Sequence, residues 1–434
     1  MSPLLIGAAG IAALLVLILA QVPIGIAMII VGVVGYALQA GWGPALTILA
    51  SEPSGLLASV DLATVPLFLL MGTFASAAGF SADIYRAAAA FLGHRRGGLA
   101  YATIGGCAAF GAVCGSSTAT AATFAKAALP EMLRRGYAEG FTTGTIAAGG
   151  TLKSLIPPSI VMILYCIVSR TFIFDLFVAA VVPALLAIAL NLAAIWVVVR
   201  LDPSVAPRGE RAVLGERVAA LKGAAPALAL MAAVFGGLYS GIFTVNEAAS
   251  VAAVLSLAFA VARGRLDRAS LWRGLRESAS ATAMIYLIII GASIFTYYMT
   301  LARVPEALIG AIGGLTVSPL AIVLFLLVAY LILGAVFDEI AAMLITLPFV
   351  LPIIEKLGYD AVWWGIINVV VVELGMIIPP IGIIVFVLHG LAPHIALRTI
   401  YRGVLPFIAA DLVLLGLLTL FPDIALALPR ALKA

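Results

Sequence analysis

Charge is what this chain has least of. Only 10% of its 434 residues are Asp, Glu, Lys or Arg, against 64% apolar and a mean hydropathy of +1.22, whereas an ordinary soluble domain carries about 25% charged residues. That scarcity excludes a water-soluble globule. Cysteine and histidine are sparse too, three of each. Cys107, Cys114 and Cys166 lie in apolar stretches without metal-ligand spacing, so they are expected to pack rather than ligate. His94, His389 and His394 fall at expected helix ends or loops. An intramembrane hydrolase needs a nucleophile and base or a metal set within its spans, and the pattern lacks one. Also missing are the short alternating segments of a transmembrane barrel; the apolar residues run instead in blocks such as 181–199 and 320–336.

What is present is material for ten or more crossings at about 20 residues each. The expected fold is an all-α polytopic membrane protein. Segment 4–20 has no basic lead-in and no small-residue cleavage site, so it reads as a retained first span of a chain starting at Met1. The net charge of +4 and pI near 9.0 belong to cytoplasmic loops rather than to a nucleic-acid surface. Trp363 and Trp364 are read as interfacial belt anchors.

Apolar blocks fall near 4–20, 23–40, 61–80, 98–133, 138–168, 172–199, 224–240, 243–262, 278–300, 318–354, 361–391 and 403–421. Blocks 98–133 and 318–354 are too long for one span and too short for two with a loop. Their middles are polar or glycine-bearing, GSSTAT at 115–120 and GAVFDE at 334–339. Re-entrant hairpins fit this pattern, since non-helical backbone at membrane depth must be buried in protein or line a cavity.

Sliding the chain against itself by 222 residues puts Pro130 on Pro352, Gly136 on Gly358, Tyr137 on Tyr359, and Pro157–Pro158 on Pro379–Pro380. Two copies of one unit are expected, 1–200 and 223–434, joined by a cytoplasmic linker at 201–222. Loop charge gives their relative orientation. Loop 41–59 has no Lys or Arg and loop 81–97 carries Arg86, Arg95 and Arg96. In the second copy the order swaps: Arg263, Arg265, Arg268, Arg273 and Arg276 come first, and loop 302–317 has only Arg303. The copies are thus expected to be inverted, with both termini periplasmic. Inverted repeats with broken helices are the architecture of secondary transporters, which hold substrate and ions near the midplane; a channel does not need a site that closes on both sides.

Each copy offers a hairpin tip and an interrupted helix. Gly115, Ser116, Ser117, Thr118 and Thr120 supply hydroxyls and a helix N-terminus suited to an anion, while freed carbonyls suit a cation. Proline pairs in AAGGTLKSLIPPSI (147–160) and VVVVELGMIIPPIG (369–382) delete donors and leave carbonyls unpaired. Lys153, Asp338, Glu339 and Glu373 are charges at membrane depth, and such charges need partners and mark function. Lys153 is expected to meet a substrate carboxylate, to stand in for a bound cation, or to pair with Glu373 or Asp338.

Four segments in order, GSSTATAATFAKAALPEMLRRGY, GGTLKSLIPPSI, GIFTVNEAAS (241–250) and ELGMIIPPIG, resemble the large membrane subunit of tripartite ATP-independent periplasmic (TRAP) transporters, the DctM type. The resemblance spans essentially the whole chain. It implies an elevator-type transporter of the bacterial inner membrane, driven by sodium and taking up a small organic acid. The acid would be delivered by a periplasmic binding protein, and a small four-helix membrane subunit would complete the system. By position, it places the ion and substrate region at Gly115 to Thr118 with Gly149, Gly150, Thr151, Pro157 and Pro158. The counterpart region is Gly334 to Glu339 with Glu373, Gly375, Pro379 and Pro380. It implies sodium sites near Ser116, Ser117, Thr151, Gly334, Asp338 and Gly375, and no other cofactor. One departure stands out: Lys153 replaces the glycine that commonly follows GGTL, which bears on sodium stoichiometry. A standalone divalent-anion/sodium symporter of similar hairpin architecture is the alternative.

Overall fold

The computed structural model describes residues 2–313 and 317–433. Met1, part of the expected loop 302–317 and the final residue of the second copy therefore lie outside the described residues. Among the described residues all regular elements are helical. The first part comprises α1 (Pro3–Leu19), α2 (Ile24–Ala40), α3 (Trp42–Leu57), α4 (Thr64–Ala77), α5 (Phe80–Leu92), α6 (Gly98–Gly111), α7 (Ser117–Arg134), α8 (Glu139–Leu152), α9 (Ile160–Ser169) and α10 (Ile173–Leu201). The second comprises α11 (Leu214–Tyr239), α12 (Val245–Ala262), α13 (Arg268–Leu301), α14 (Val304–Gly313), α15 (Pro319–Val336), α16 (Glu339–Lys356), α17 (Ala361–Gly375), α18 (Ile383–Leu391), α19 (Leu397–Leu420) and α20 (Asp423–Lys433). Among the described residues eight helical segments are long and apolar enough to cross a membrane, α8 and α9 counting as one and α4 counting with the 3₁₀ turn Val60–Ala63 before it; α1, α2, α6 and α17 are apolar but shorter.

The two long blocks each resolve into a helix pair with a short non-helical tip. At both tips a side chain starts the second helix: Ser116 Oγ accepts the Ala119 N–H at 3.3 Å, and Asp338 Oδ1 accepts the Ala341 N–H at 2.9 Å. Such a cap contributes about 1 kcal/mol. The proline pairs interrupt their helices as the sequence suggests. After α8 a 3₁₀ turn at Lys153–Leu155 leads to cis Pro157–Pro158, and after α17 the chain passes cis Pro379–Pro380 before α18. Gly382, at φ +56°, lets the second break turn back, and its N–H reaches Ala335 O at 3.3 Å.

Three expected loops are largely helix. Segment 41–59 holds α3, 81–97 holds most of α5, and 302–317 holds α14. The expected linker already contains the start of α11 at Leu214. Hydropathy blocks miss helices that carry scattered polar residues or exposed faces, and α3, with a single buried residue, is one. Trp363 and Trp364 are not belt anchors. Both are fully buried, Trp363 stacked on Tyr359 and donating to Leu418 O at 2.8 Å.

The basic segments converge on one face. Asp83 of α5 takes both Arg86 and Arg263, and Arg263 also donates to Ala78 O at 3.0 Å and Gly223 O at 2.6 Å. Arg217 lies over the Phe91 ring, 5.7 Å from its centroid. Segments 81–97, 200–223 and the loop after α12 thus meet at one end of the molecule. The NEAAS segment is structural here. Thr244 and Glu247 form a capping box at the start of α12, while Asn246 binds Thr64 and donates to Val60 O at 3.2 Å.

Candidate functional site

Five residues from four elements close around one another in the interior. Ser117 Oγ, in the first turn of α7, lies 2.7 Å from Glu373 Oε1 on α17 and 3.2 Å from Glu339 Oε2 on α16. Ser154 donates to the same Glu339 Oε2 at 3.1 Å and sits 3.1 Å from Ser117 Oγ. Lys153 Nζ stands 3.7 Å from Glu339 Oε1. Lys153, Ser117 and Ser154 are fully buried, and Glu339 and Glu373 are only 7% and 4% exposed. The first hairpin tip, the first helix break, the second hairpin and the second broken helix therefore share one ionic cluster.

The local fold explains why these groups meet. Lys153 is carried inward by the 3₁₀ turn, and Gly111 leaves the space its backbone and Cβ occupy: a Cβ on Gly111 would lie 2.4 Å from Lys153 Cβ. Glu339 is the first residue of α16, placed by the Asp338 cap. Glu373 is set by a close crossing of α15 and α17, where a Cβ on Gly375 would come 2.6 Å from the Gly334 backbone. The 3.7 Å contact of Lys153 is ionic and longer than a hydrogen bond. Lys153 Nζ and Glu373 Oε2 are both buried without a hydrogen-bond partner among the described residues. One ammonium faces two carboxyl groups here, and buried charge without a partner costs several kcal/mol, on the order of 3–5.

The remaining sequence-selected residues surround this cluster in supporting positions. Ser116 caps α7; Thr118 Oγ1 lies 3.0 Å from Ser116 Oγ, and Thr120 donates to Ser116 O at 2.9 Å. Gly115 packs on Ile160, Gly149 on Cys107 and Gly150 on Ala121, each too close for a Cβ. Thr151 donates to Ala148 O within its own helix at 2.8 Å. Asp338 spends one oxygen on its cap, and Lys153 pairs with neither it nor Glu373 but with Glu339. Pro157 and Pro158 are buried, whereas Pro379 and Pro380 are exposed. The three cysteines are free and buried.

One expectation is corrected at the second break. The carbonyls of the preceding turn are not left unpaired, because Gly375 O accepts the Ile378 N–H and Met376 O the Ile384 N–H, each at 3.1 Å; just past the break, Tyr401 of α19 donates to Ile381 O at 2.6 Å and lies 3.0 Å from Pro380 O. Sequence reading missed Tyr401, which sits 21 residues beyond the prolines with no local signal. It also missed Ser154, next to Lys153, and Asp411, a lone acid in the apolar block of α19. The rule that flags intramembrane charge would have found Asp411 had it been applied beyond the hairpins and broken helices.

With this geometry in place, similarity to known proteins identifies the family. The family model for the DctM component of tripartite ATP-independent periplasmic transporters matches residues 11–424. The chain belongs to the DctM family. It is 38% identical to the C4-dicarboxylate TRAP transporter large permease protein DctM of Pseudomonas aeruginosa, covering 85% of this chain and 86% of that protein. It is 30% identical to the ectoine TRAP transporter large permease protein TeaC of Halomonas elongata, over 96% and 97% of the two chains. Its fold is shared with the crystal structure of the Alcanivorax borkumensis YdaH transporter, at a TM-score of 0.61 and 16% identity over 90% of this chain and 91% of that one. DctM-family relatives are permeases and not enzymes, and the large permease works with a small membrane subunit and a periplasmic binding protein.

Proposed function

We propose that this chain is the moving subunit of a sodium-driven uptake system of the bacterial inner membrane. It would carry a small organic acid delivered by a periplasmic binding protein. The observation that carries this reading is the buried contact of Ser117 with Glu339 and Glu373, which ties the first hairpin tip to both the hairpin and the broken helix of the second half. Ser117 and Glu339 are 222 residues apart, the offset that also relates the two proline pairs. Contact between equivalent residues is what a twofold axis between inverted copies produces. Convergence of the basic segments on one face supports a cytoplasmic linker and periplasmic termini.

In this reading the two hairpins and broken helices form a transport domain that moves as an elevator against a scaffold containing α2, α4, α12 and α13. Carboxylate and hydroxyl oxygens are hard donors of the kind a sodium ion takes. Sodium is assigned to the tips and breaks around Ser116, Ser117, Thr151, Gly334, Asp338 and Gly375. The Lys153 ammonium, fixed against Glu339, plays the charge role of one such ion, so this chain needs one coupling sodium fewer than relatives with glycine at that position. The substrate carboxylate is assigned to the N-terminal end of α7, where backbone N–H groups and hydroxyls face an anion.

The test is uptake into proteoliposomes holding this chain and its small subunit, with and without the cognate binding protein, using radiolabelled C4-dicarboxylates and other small organic acids. Accumulation only with the binding protein supports the tripartite reading. Equal accumulation without it favours a standalone symporter.

A further inference from the structure

At the end of the molecule where the basic segments meet, a groove far from the ionic cluster is lined by positive charge alone. It is a cavity of about 330 Å³ between the start of α6 and the end of α10, with Arg96 and Tyr101 on one side, Trp196 and Arg200 on the other, and Pro203 and Arg208 from the segment that follows. That volume falls within the roughly 300–1,000 Å³ of small-ligand sites. No acidic residue lines it. The arginines that form ion pairs among the described residues are Arg86, Arg134, Arg135, Arg263 and Arg430, so the three of the groove have no carboxylate partner there.

The fold fixes the shape of the groove. Gly97, at φ +70°, turns the chain into α6, and a Cβ there would lie 3.0 Å from Val199 Cγ2, so the turn beside Arg96 packs directly on α10. Past α10, Asp202 spends its carboxylate on Ser204, accepting the Ser204 N–H at 3.0 Å and its hydroxyl at 2.5 Å. The Ala138 N–H donates to Val205 O at 2.9 Å, and Ala206 is fully buried. These contacts hold the segment that carries Arg208. An exposed face of α10 leads into the groove: Val182, Leu185, Ala189, Ala193 and Trp196 follow one another at three- and four-residue spacing, and Arg200 ends the row. From Val182 to Arg200 is about 27 Å at 1.5 Å per residue, close to the roughly 30 Å of a bilayer's hydrocarbon core. Trp and Tyr favour the boundary between hydrocarbon and headgroups, and Trp196 and Tyr101 stand between the apolar row and the arginines.

We infer that this groove binds the headgroup of an anionic phospholipid, whose acyl chains lie along the exposed face of α10. A phosphodiester is the anion that the geometry suits: planar guanidinium groups meet phosphate oxygens with paired hydrogen bonds, and basic pockets between membrane helices take such headgroups. A free carboxylate or phosphate ion would use the arginines and leave the apolar row uncovered. Three cations exceed the charge of one phosphodiester, so cardiolipin, with two, is held more tightly than phosphatidylglycerol, and zwitterionic phosphatidylethanolamine less tightly than either. The bound lipid joins α6 and α10 to the segment that leads into α11. The inference needs neither the transport function nor the assignment of a leaflet.

The experiment is native mass spectrometry of the full chain in detergent, titrated with cardiolipin, phosphatidylglycerol or phosphatidylethanolamine, and with excess inorganic phosphate as a competitor. The expected affinities fall in that order of lipids, and phosphate leaves cardiolipin bound. Each arginine is expected to contribute about fivefold. Arg208→Gln alone then weakens cardiolipin binding about fivefold, and Arg96→Gln, Arg200→Gln and Arg208→Gln together weaken it on the order of 100-fold. Trp196→Ala keeps every charge and is expected to weaken it as well. The control removes the same charge from exposed positions at the start of α13, with Arg268→Gln, Arg273→Gln and Arg276→Gln, and is expected to leave cardiolipin binding unchanged. An equal loss in that control overturns the inference in favour of diffuse surface charge. Displacement of cardiolipin by inorganic phosphate overturns it too, as does binding of phosphatidylethanolamine equal to that of cardiolipin. Thermal unfolding without added lipid checks that the variants fold. Where the triple groove variant does not, Arg208→Gln, on an exposed non-helical segment, decides: unchanged cardiolipin affinity refutes the site.

Discussion

Replacing Lys153 by methionine removes its ammonium and leaves an unbranched side chain one atom shorter, so the buried Glu339 carboxylate loses the charge 3.7 Å away. At an effective dielectric constant of about 20, that separation corresponds to roughly 4 kcal/mol of attraction. Breaking a buried pair by removing one partner costs on the order of 3–5 kcal/mol, because the other charge stays behind without compensation. Removing both charges avoids that penalty. The double variant Lys153→Met with Glu339→Gln is therefore expected to recover most of the loss. Ser117 and Ser154 still offer hydroxyls to the glutamine amide. Thermal unfolding of the purified chain in nanodiscs, compared for the two single variants and the double variant, measures the coupling directly. Sodium should stabilise Lys153→Met more than the unaltered chain, since an ion can enter where the ammonium stood. Losses that simply add in the double variant would refute the claim that the two residues form one unit.

Further expectations follow from neighbouring contacts. Ser117→Ala removes the hydroxyl that lies between Glu339 and Glu373; hydrogen bonds to charged groups contribute about 1.5–3 kcal/mol, and the loss should appear in the unfolding midpoint as well as in uptake rate. Tyr401→Phe frees the carbonyls of Pro380 and Ile381 at a cost of about 0.5–1.5 kcal/mol, with faster hydrogen exchange at the start of α18 as its mark. In Gly375→Ala the new Cβ would fall 2.6 Å from the Gly334 backbone. Overpacking of this kind costs about 1–3 kcal/mol, so a variant as stable as the parent would show that α15 and α17 can separate freely.

The long apolar blocks, their interruptions and the proline breaks were legible because each has a local cause. A polar or glycine-bearing tip, or a proline pair, announces itself within a few residues. The residues expected to matter at the tips were legible for the same reason, and Ser117, Lys153, Glu339 and Glu373 do meet. Their partners were harder to read. That Lys153 would choose Glu339 over Glu373 or Asp338 depends on the space Gly111 leaves and on which oxygen Asp338 gives to its cap, and both are properties of packed helices. Tyr401 reaches back from α19 to the second break, a contact without periodic or spacing signature. Trp363 and Trp364 looked interfacial by residue type, yet tertiary packing stacks one on Tyr359 and buries both. Helix α3 escaped the hydropathy pattern because its apolar residues do not form a continuous span.

The most direct test of the account is uptake into proteoliposomes of this chain with its small subunit and binding protein, under an inward sodium gradient and under an equal potassium gradient. The account predicts accumulation of a small organic acid with sodium and none above background with potassium, together with an increase in sodium coupled per substrate in Lys153→Gly. Equal accumulation under the two gradients, or unchanged sodium coupling in Lys153→Gly, would contradict it.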